Sequence, residues 1–260
     1  MMAALAYAVV AATVVFLALP IVSLIVMSFS AAEYVTFPPI GFSLKWYGRI
    51  LQMPGFVDSL LLSLRLAALA TVLSILLGVA AALAVARTRF RGRNALVAAL
   101  MSPLVVPSIV TGLAMLQFFV DRGMRSADWN LLAGHVVITL PYVTRTVMAS
   151  LEVFDWSLVD TARVLGAGPL RAFWRVTLPI IRPGILAGGI FAFLTSFDNY
   201  TISFFLADAR RVPLPVTVFN YINNIFDPGV AALSATLIYA SAIILIATER
   251  LIGASRLRGF

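Results

Sequence analysis

Two stretches hold the side chains from which chemistry could be built. The first is S-F-D-N-Y-T-I-S-F-F from Ser196, inside an apolar run, where Asp198 brings a carboxylate and Asn199, Thr201 and Ser203 bring amide and hydroxyl groups beside Phe205. On a continuous helix Asp198, Thr201 and Phe205 fall on one face with Asn199 and Ser203 beside them, a polar stripe suited to lining a path. At the helical rise Asp198 lies about 21 Å from the end of a run that begins near residue 185. A carboxylate at that depth is disfavoured by about 2.5–3.5 kcal/mol, so it faces a bundle interior or water and finds a partner. Two roles fit: contact with a solute in the path, or a structural pairing with Arg65 or a hydrogen bond across helices. The second stretch, D-T-A-R-V-L-G-A-G-P-L-R-A-F-W-R-V-T-L-P from Asp160 to Pro179, is polar and lies between two apolar runs.

Neither stretch builds a catalyst. One intramembrane aspartate is half of what an aspartyl protease needs, and the facing spans offer no plausible Ser and His dyad. The chain has no cysteine and a single histidine, His135, which rules out a thiol nucleophile, a disulfide framework and a histidine-rich metal centre. His135, near one end of its span, reads as a satisfied interfacial side chain. No G-x-x-x-x-G-K-[ST] phosphate loop exists and the only lysine is Lys45, so the chain does not hydrolyse ATP by itself. No cofactor or metal is implied.

The elements that must position these groups are membrane helices. Of 260 residues 62% are hydrophobic and 12% charged, with a mean hydropathy of +1.01, more than a soluble domain carries. Since a bilayer core takes about 20 apolar residues as helix, the sequence divides into spans at about 5–27, 60–86, 95–119, 131–150, 185–206 and 230–248. The first lacks a basic leader and is too long for a signal core, so it reads as an uncleaved helix. Pro20, Pro103, Pro107 and Pro141 fall inside spans and mark kinks. The net charge of +8 is scattered through the connections rather than gathered on one solvated face, which argues against nucleic acid. Arg87, Arg89, Arg91, Arg93, Arg145, Arg163, Arg171, Arg175, Arg182, Arg250, Arg256 and Arg258 fall on one side of the membrane. Lys45, Arg49, Arg122, Arg125, Arg210 and Arg211 fall on the other, where acids balance them in each connection. The richer side is cytoplasmic, and both termini and the 160–179 segment then face inward. Pro38, Pro39, Trp46 and Tyr47 place the long outer connection along the interface.

The inward segment has the punctuation of a helical hairpin. Ser157 and Asp160 have capping-box spacing, so a short helix is predicted from there. Gly166 suits the left-handed position that ends it, and Gly168 and Pro169 suit the cap and first residue of a second helix, which runs to Leu178 and is stopped by Pro179. Val164, Leu165, Leu170, Phe173 and Trp174 offer apolar knobs. At the start of the fifth span Gly184 and Gly188 form a G-x-x-x-G, which favours close packing, a partner permease being one candidate surface. Arg65 and Arg145 lie near span ends and can snorkel.

The same segment resembles the signature loop of bacterial ABC-transporter permeases, E-A-A, three residues, G, nine residues, I-x-L-P. Asp160 stands at the Glu position, Thr161 at the first Ala, Ala162 at the second, and Gly166, Val176, Leu178 and Pro179 follow in register. The outer F-P-P-I-G-F-S-L-K-W-Y from Phe37, R-T-R-F-R-G-R from Arg87, the Ser196 segment and D-P-G-V-A-A-L-S-A from Asp227 extend the resemblance over nearly the whole chain. It is similar to the second permease subunit of polyamine, opine and iron importers. The resemblance implies an all-α, MetI-like permease fold of six spans in a single transmembrane domain over 1–260, with a coupling loop at about 152–183. It implies ATPase subunits that receive Ser157, Asp160, Thr161, Ala162, Gly166, Gly168, Leu178 and Pro179, a second permease in a heterodimer, an extracytoplasmic solute-binding protein, and a place in the bacterial inner membrane. Polyamine carriers have two adjacent acids where this chain has Asp198 and Asn199, so organic cations stand beside opines, phosphonates and ferric iron as solutes. A passive channel or scaffold is the rival class, against which the capped inward hairpin argues.

Overall fold

The structure, a computed structural model, describes residues 2–88, 90–225 and 227–257; Arg89 and Arg258 of the basic set lie outside them, as does the side chain of Arg256. Among the described residues the architecture is helical throughout, without strands beyond two isolated bridges. The helices are α1 (Met2–Ser28), α2 (Lys45–Leu51), α3 (Phe56–Arg87), α4 (Arg93–Met101), α5 (Ser108–Asp121), α6 (Ala127–Glu152), α7 (Ser157–Val164), α8 (Pro169–Ala172), α9 (Leu178–Phe197), α10 (Tyr200–Leu206), α11 (Leu214–Asn224) and α12 (Gly229–Leu257). Among the described residues four helical runs are long and apolar enough to cross a membrane, Leu5–Ser28, Phe56–Arg87, Ala127–Glu152 and Pro169–Phe197, and a bent pair, Arg93–Leu104 with Ser108–Asp121, makes a fifth if taken as one span.

The chain forms two compact units. The first joins Met1–Asp58 to Val216–Ile246. Here α1 leaves its apolar side chains almost wholly uncovered, so their solvent is lipid or another chain. The connection after α1 is held by the buried Trp46, whose indole N–H donates to the Ser30 carbonyl at 2.9 Å. Lys45 and Arg49 flank that ring at 5.0 and 4.6 Å and both pair with Glu33, at 2.7 and 2.9 Å. These two cations hold the Glu33 carboxyl below the usual carboxylate range. Tyr221 donates to Asp227 at 2.9 Å, and burial, with that bond, pushes the phenol up to about 12. In the connection after α1 the two cations are thus balanced by contact with one acid.

The second unit joins Ser59–Pro215 to Ala247–Phe260, and α6 is its axis. Val143, fully buried on α6, meets glycines from both sides. A Cβ built on Gly78 of α3 would lie 3.0 Å from the Val143 Cβ, and one on Gly188 of α9 would lie 2.8 Å from the Val143 Cα. Gly184 is equally tight, at 2.8 Å from the Thr146 carbonyl. The G-x-x-x-G is therefore spent inside this chain, on α6, and not on a partner permease. Val79, Ala82, Val147, Leu151, Ile181 and Ala192 complete that core, while Leu66, Phe119, Leu131, Ile138, Ile202 and Leu206 form a second one.

Three predicted elements differ. The run predicted at 95–119 is α4 and α5 bent by 105° at a break carrying Val105, Val106 and Pro107, because Pro103 and Pro107 each remove an amide donor from the ladder. Pro20, Pro141 and Pro183 are absorbed within continuous helices. Pro179 does not stop a helix: the chain stays helical from Pro169 to Phe197, and the π-turn at Phe173–Thr177 directly before the proline takes up the amide donor it lacks. The predicted span at 185–206 is broken between Phe197 and Tyr200, giving α9 and α10.

Candidate functional site

The hairpin around α7 is a rigid frame carrying uncovered apolar side chains. Its frame is made by Val159 and Ala172, buried in the first core, and by Trp156, which meets Phe154 edge-on at 4.8 Å and lies under the Arg87 guanidinium at 5.7 Å. The capping box does not form. Trp156 is the N-cap, without a side-chain bond, and Asp155 accepts from the Ser157 amide at 2.9 Å. The Asp155 carboxylate takes the orphan amide of Ser157, two residues on, and the Ser157 hydroxyl and amide hold its carboxyl below the usual range. The helix ends as predicted. Gly166 has φ of +86°, its N–H donates to the Arg163 carbonyl at 3.0 Å, and the Ala167 N–H donates to the Ala162 carbonyl at 2.9 Å. That bond pair is the Schellman closure, which requires a left-handed residue and hence glycine. Gly168 caps α8 in extended backbone and Pro169 opens it.

The closure leaves Val164 and Leu165 at the tip, 87% and 83% exposed, with Leu170 and Trp174 exposed beside them. Asp160 and Thr161 are exposed, while Ala162 and Leu178 are half-buried against the frame. Pro179 is exposed at the foot of α9. Arg145 and Glu152 of α6 line a crevice with Val97, Met101, Leu104 and Val105.

The polar stripe does not form on one helix. The Asp198 N–H closes α9 on the Leu194 carbonyl at 3.1 Å, and Asn199, in extended backbone, caps α10 by accepting from the Ile202 amide at 2.8 Å. Asp198 is left exposed at the break, Thr201 is half-buried, and Phe205 packs over Gly112 of α5. Ser203 is turned away from any path and fully buried. Its hydroxyl meets His135 Nε2 at 3.2 Å, while Ser196 Oγ meets His135 Nδ1 at 2.7 Å. Sequence reasoning found no Ser and His pairing; the structure makes one, linking α6 to both sides of the break. The readable signal was the spacing of Ser196 and Ser203, seven apart and so on one helical face, opposite the sole histidine of an apolar chain. Both imidazole nitrogens are occupied and all three residues are buried, so the hydroxyls serve as ties and not as nucleophiles. Among the described residues Asp198 has no ion pair with Arg65. Arg65 instead borders a depression with Trp129 and the Asp128–Arg211 pair, which closes at 3.1 Å.

Comparison with known proteins gives consistent results. A family model described as "Binding-protein-dependent transport system inner membrane component" matches residues 74–254. The chain is 33% identical over 240 residues to the putrescine transport system permease protein PotI of Escherichia coli (strain K12), covering 88% of this chain and 84% of that one. It is 30% identical over 234 residues to the spermidine/putrescine transport system permease protein PotC of Haemophilus influenzae, covering 90% and 91%. In fold it is similar to a chain of the crystal structure of a bacterial ABC transporter that imports the acidic polysaccharide alginate, with a TM-score of 0.73 at 18% identity over 97% of this chain and 95% of that one.

Proposed function

The chain belongs to the family of inner membrane components of binding-protein-dependent transport systems, and from that premise we propose that it supplies half of the solute path of an ATP-driven importer of polyamine-like organic cations. It is an ABC-importer permease of the bacterial inner membrane, and ATP hydrolysis belongs to a partner chain. A single transmembrane domain of six spans accounts for the helices: α1, α3, the bent α4–α5 pair, α6, the run from Pro169 through α10, and α12. The arginine bias puts both termini and α7 in the cytoplasm.

The observation that carries the reading is the α7 hairpin, whose apolar tip is held out by a Schellman-closed turn on a buried base. Burying two such side chains yields about 1.5–3 kcal/mol each, available only when a partner's cleft receives them. An ATPase subunit inserts that tip into its cleft and transmits its own closure through Val159, Ala172 and the Arg87–Trp156 stack to α3, α6 and α9. A second permease completes the path, and a soluble binding protein delivers solute outside. The lone carboxylate at the α9–α10 break, together with the likeness to PotI and PotC, supports an organic cation as solute.

The test is expression with the neighbouring genes, affinity capture through this chain, and uptake of labelled putrescine. Recovery of an ATPase and a second permease with ATP-dependent uptake is the expected result. A solitary homo-oligomer that conducts ions overturns the coupling reading. Uptake of an opine, phosphonate or ferric iron in place of putrescine keeps the mechanism and replaces the solute.

A further inference from the structure

A helix interrupted inside a membrane domain needs something to set the angle at its break. At Asp198–Asn199 the ladder is discontinuous, and Asn199 satisfies one amide of α10 by its own side chain. The remaining constraint comes from α6. His135 is 1% exposed and touches one serine from each side of the break, Ser196 near the end of α9 and Ser203 on α10. In a neutral imidazole one nitrogen donates and the other accepts, and a hydroxyl can do either, so both contacts are satisfied at once. Gly134, next to His135, lies against Leu206 and Ile202, which lets α10 approach α6 closely enough for the 3.2 Å contact.

The clamp is itself anchored. Thr139 Oγ1 donates to the His135 carbonyl at 2.7 Å, so the 2.7 Å contact between Thr139 and Ser74 of α3 takes its proton from Ser74. A chain of buried hydroxyls therefore fixes the turn of α6 that carries the imidazole to α3, and all of its members are fully or almost fully buried. No carboxylate, lysine or arginine takes part.

We propose that His135 is the positioning residue of the interrupted span, tying α9 and α10 to α6 through Ser196 and Ser203 and thereby setting where the Asp198 carboxylate stands. This rests on the reading of that span as path-lining. The clamp itself is a statement about geometry, and it has a readout independent of transport.

The chain has no cysteine, so two introduced ones are the only labelling sites in it. Spin labels at Phe191→Cys and Phe204→Cys, both exposed and on opposite sides of the break, report its angle in the membrane-embedded, purified complex. The expected result is one narrow distance in the parent and a broadened or two-component distribution in His135→Leu, with the uptake Vmax down about tenfold, the effect of two interhelical hydrogen bonds. His135→Asn keeps the reach of Nδ1 and His135→Gln that of Nε2, so each restores one tie and gives an intermediate distribution and rate. An unchanged narrow distance in His135→Leu overturns the proposal. A broadened distance with unchanged uptake upholds the clamp and overturns the path role of the span. If His135→Leu fails to assemble, Ser196→Ala and Ser203→Ala each cut one tie, and unchanged distances in both overturn the proposal equally.

Discussion

The α7 hairpin and the α9–α10 break invert the usual placement of side chains in opposite ways. At α7 apolar residues are left uncovered, with Val164 and Leu165 at a tip closed by backbone hydrogen bonds over a buried base. At the break His135, Ser196 and Ser203 stand buried in an apolar core and bond to one another, with Thr139 and Ser74 behind them. The first arrangement is unfinished and calls for another subunit. The second is closed on itself through His135, Ser196 and Ser203, and the Asp198 carboxylate stands outside it. An exposed apolar tip invites a partner's cleft, which is what the proposed coupling requires, whereas a satisfied buried network holds a shape.

The largest effect that would sharpen this contrast is at Gly166. Space is open around it, so any cost comes from its φ of +86°, which a β-branched side chain does not adopt. Gly166→Val therefore reopens the Schellman turn and misdirects the tip without touching the core. Uptake is expected to vanish while membrane-inserted protein stays at the parent level, measured by quantitative immunoblot beside the transport assay. Normal uptake in that variant removes α7 from the mechanism.

Next comes Gly188, where the opposite failure is expected. A side chain there meets the Val143 Cα and the Thr146 hydroxyl, neither of which can move aside. Gly188→Leu forces α9 off α6 and costs about 1–3 kcal/mol or more, as overpacking does. The thermal midpoint of the purified protein falls, and transport falls with the amount folded. A variant that folds normally but does not transport would move the glycine from packing to an interface.

Much of this was legible in advance, and the exceptions have physical causes. Glycine and proline at α7 and α8 dictate local backbone, so Gly166, Gly168 and Pro169 behave as their types require. Pro179 has the look of a stop because a proline inside a helix removes a ladder donor, and the pattern does not show the π-turn before it that takes up the loss. The Ser157 and Asp160 pattern lost to Asp155, since several carboxyl and hydroxyl groups compete for the same orphan amides. Helical periodicity assumes a continuous ladder, so it placed Asp198, Thr201 and Phe205 on one face and could not register the break. The Gly184 and Gly188 pair was correctly read as a packing surface, but small residues do not encode which helix they receive. The His135 clamp needed three-dimensional proximity between residues 61 and 68 positions apart.

A smaller effect is expected at the tip itself. Leu165→Ser removes one uncovered apolar side chain and leaves the turn intact, so the fold is indifferent and only the partner's cleft notices. Capture of the ATPase weakens by about tenfold, the cost of an interface contact of moderate weight, with an unchanged melting curve for this chain alone. Equal binding would mean that the tip remains in water in the assembled complex and that the contrast between the two regions is false.

The mildest change concerns Asp198. Asp198 closes the end of α9 through its backbone N–H alone, and its carboxylate makes no ion pair among the described residues, so Asp198→Asn leaves stability unaltered. What it removes is a negative charge beside the break, in a part of the chain where Asn199 is already occupied with Ile202 and cannot substitute. A cation passing the break loses that attraction, and uptake of putrescine falls in part while uptake driven through the same complex still needs ATP. Because an amide retains the size and the hydrogen-bonding oxygen, a partial loss assigns the effect to charge alone. Unchanged kinetics would make Asp198 a helix terminus and nothing more, and the solute would then be recognised outside the membrane only.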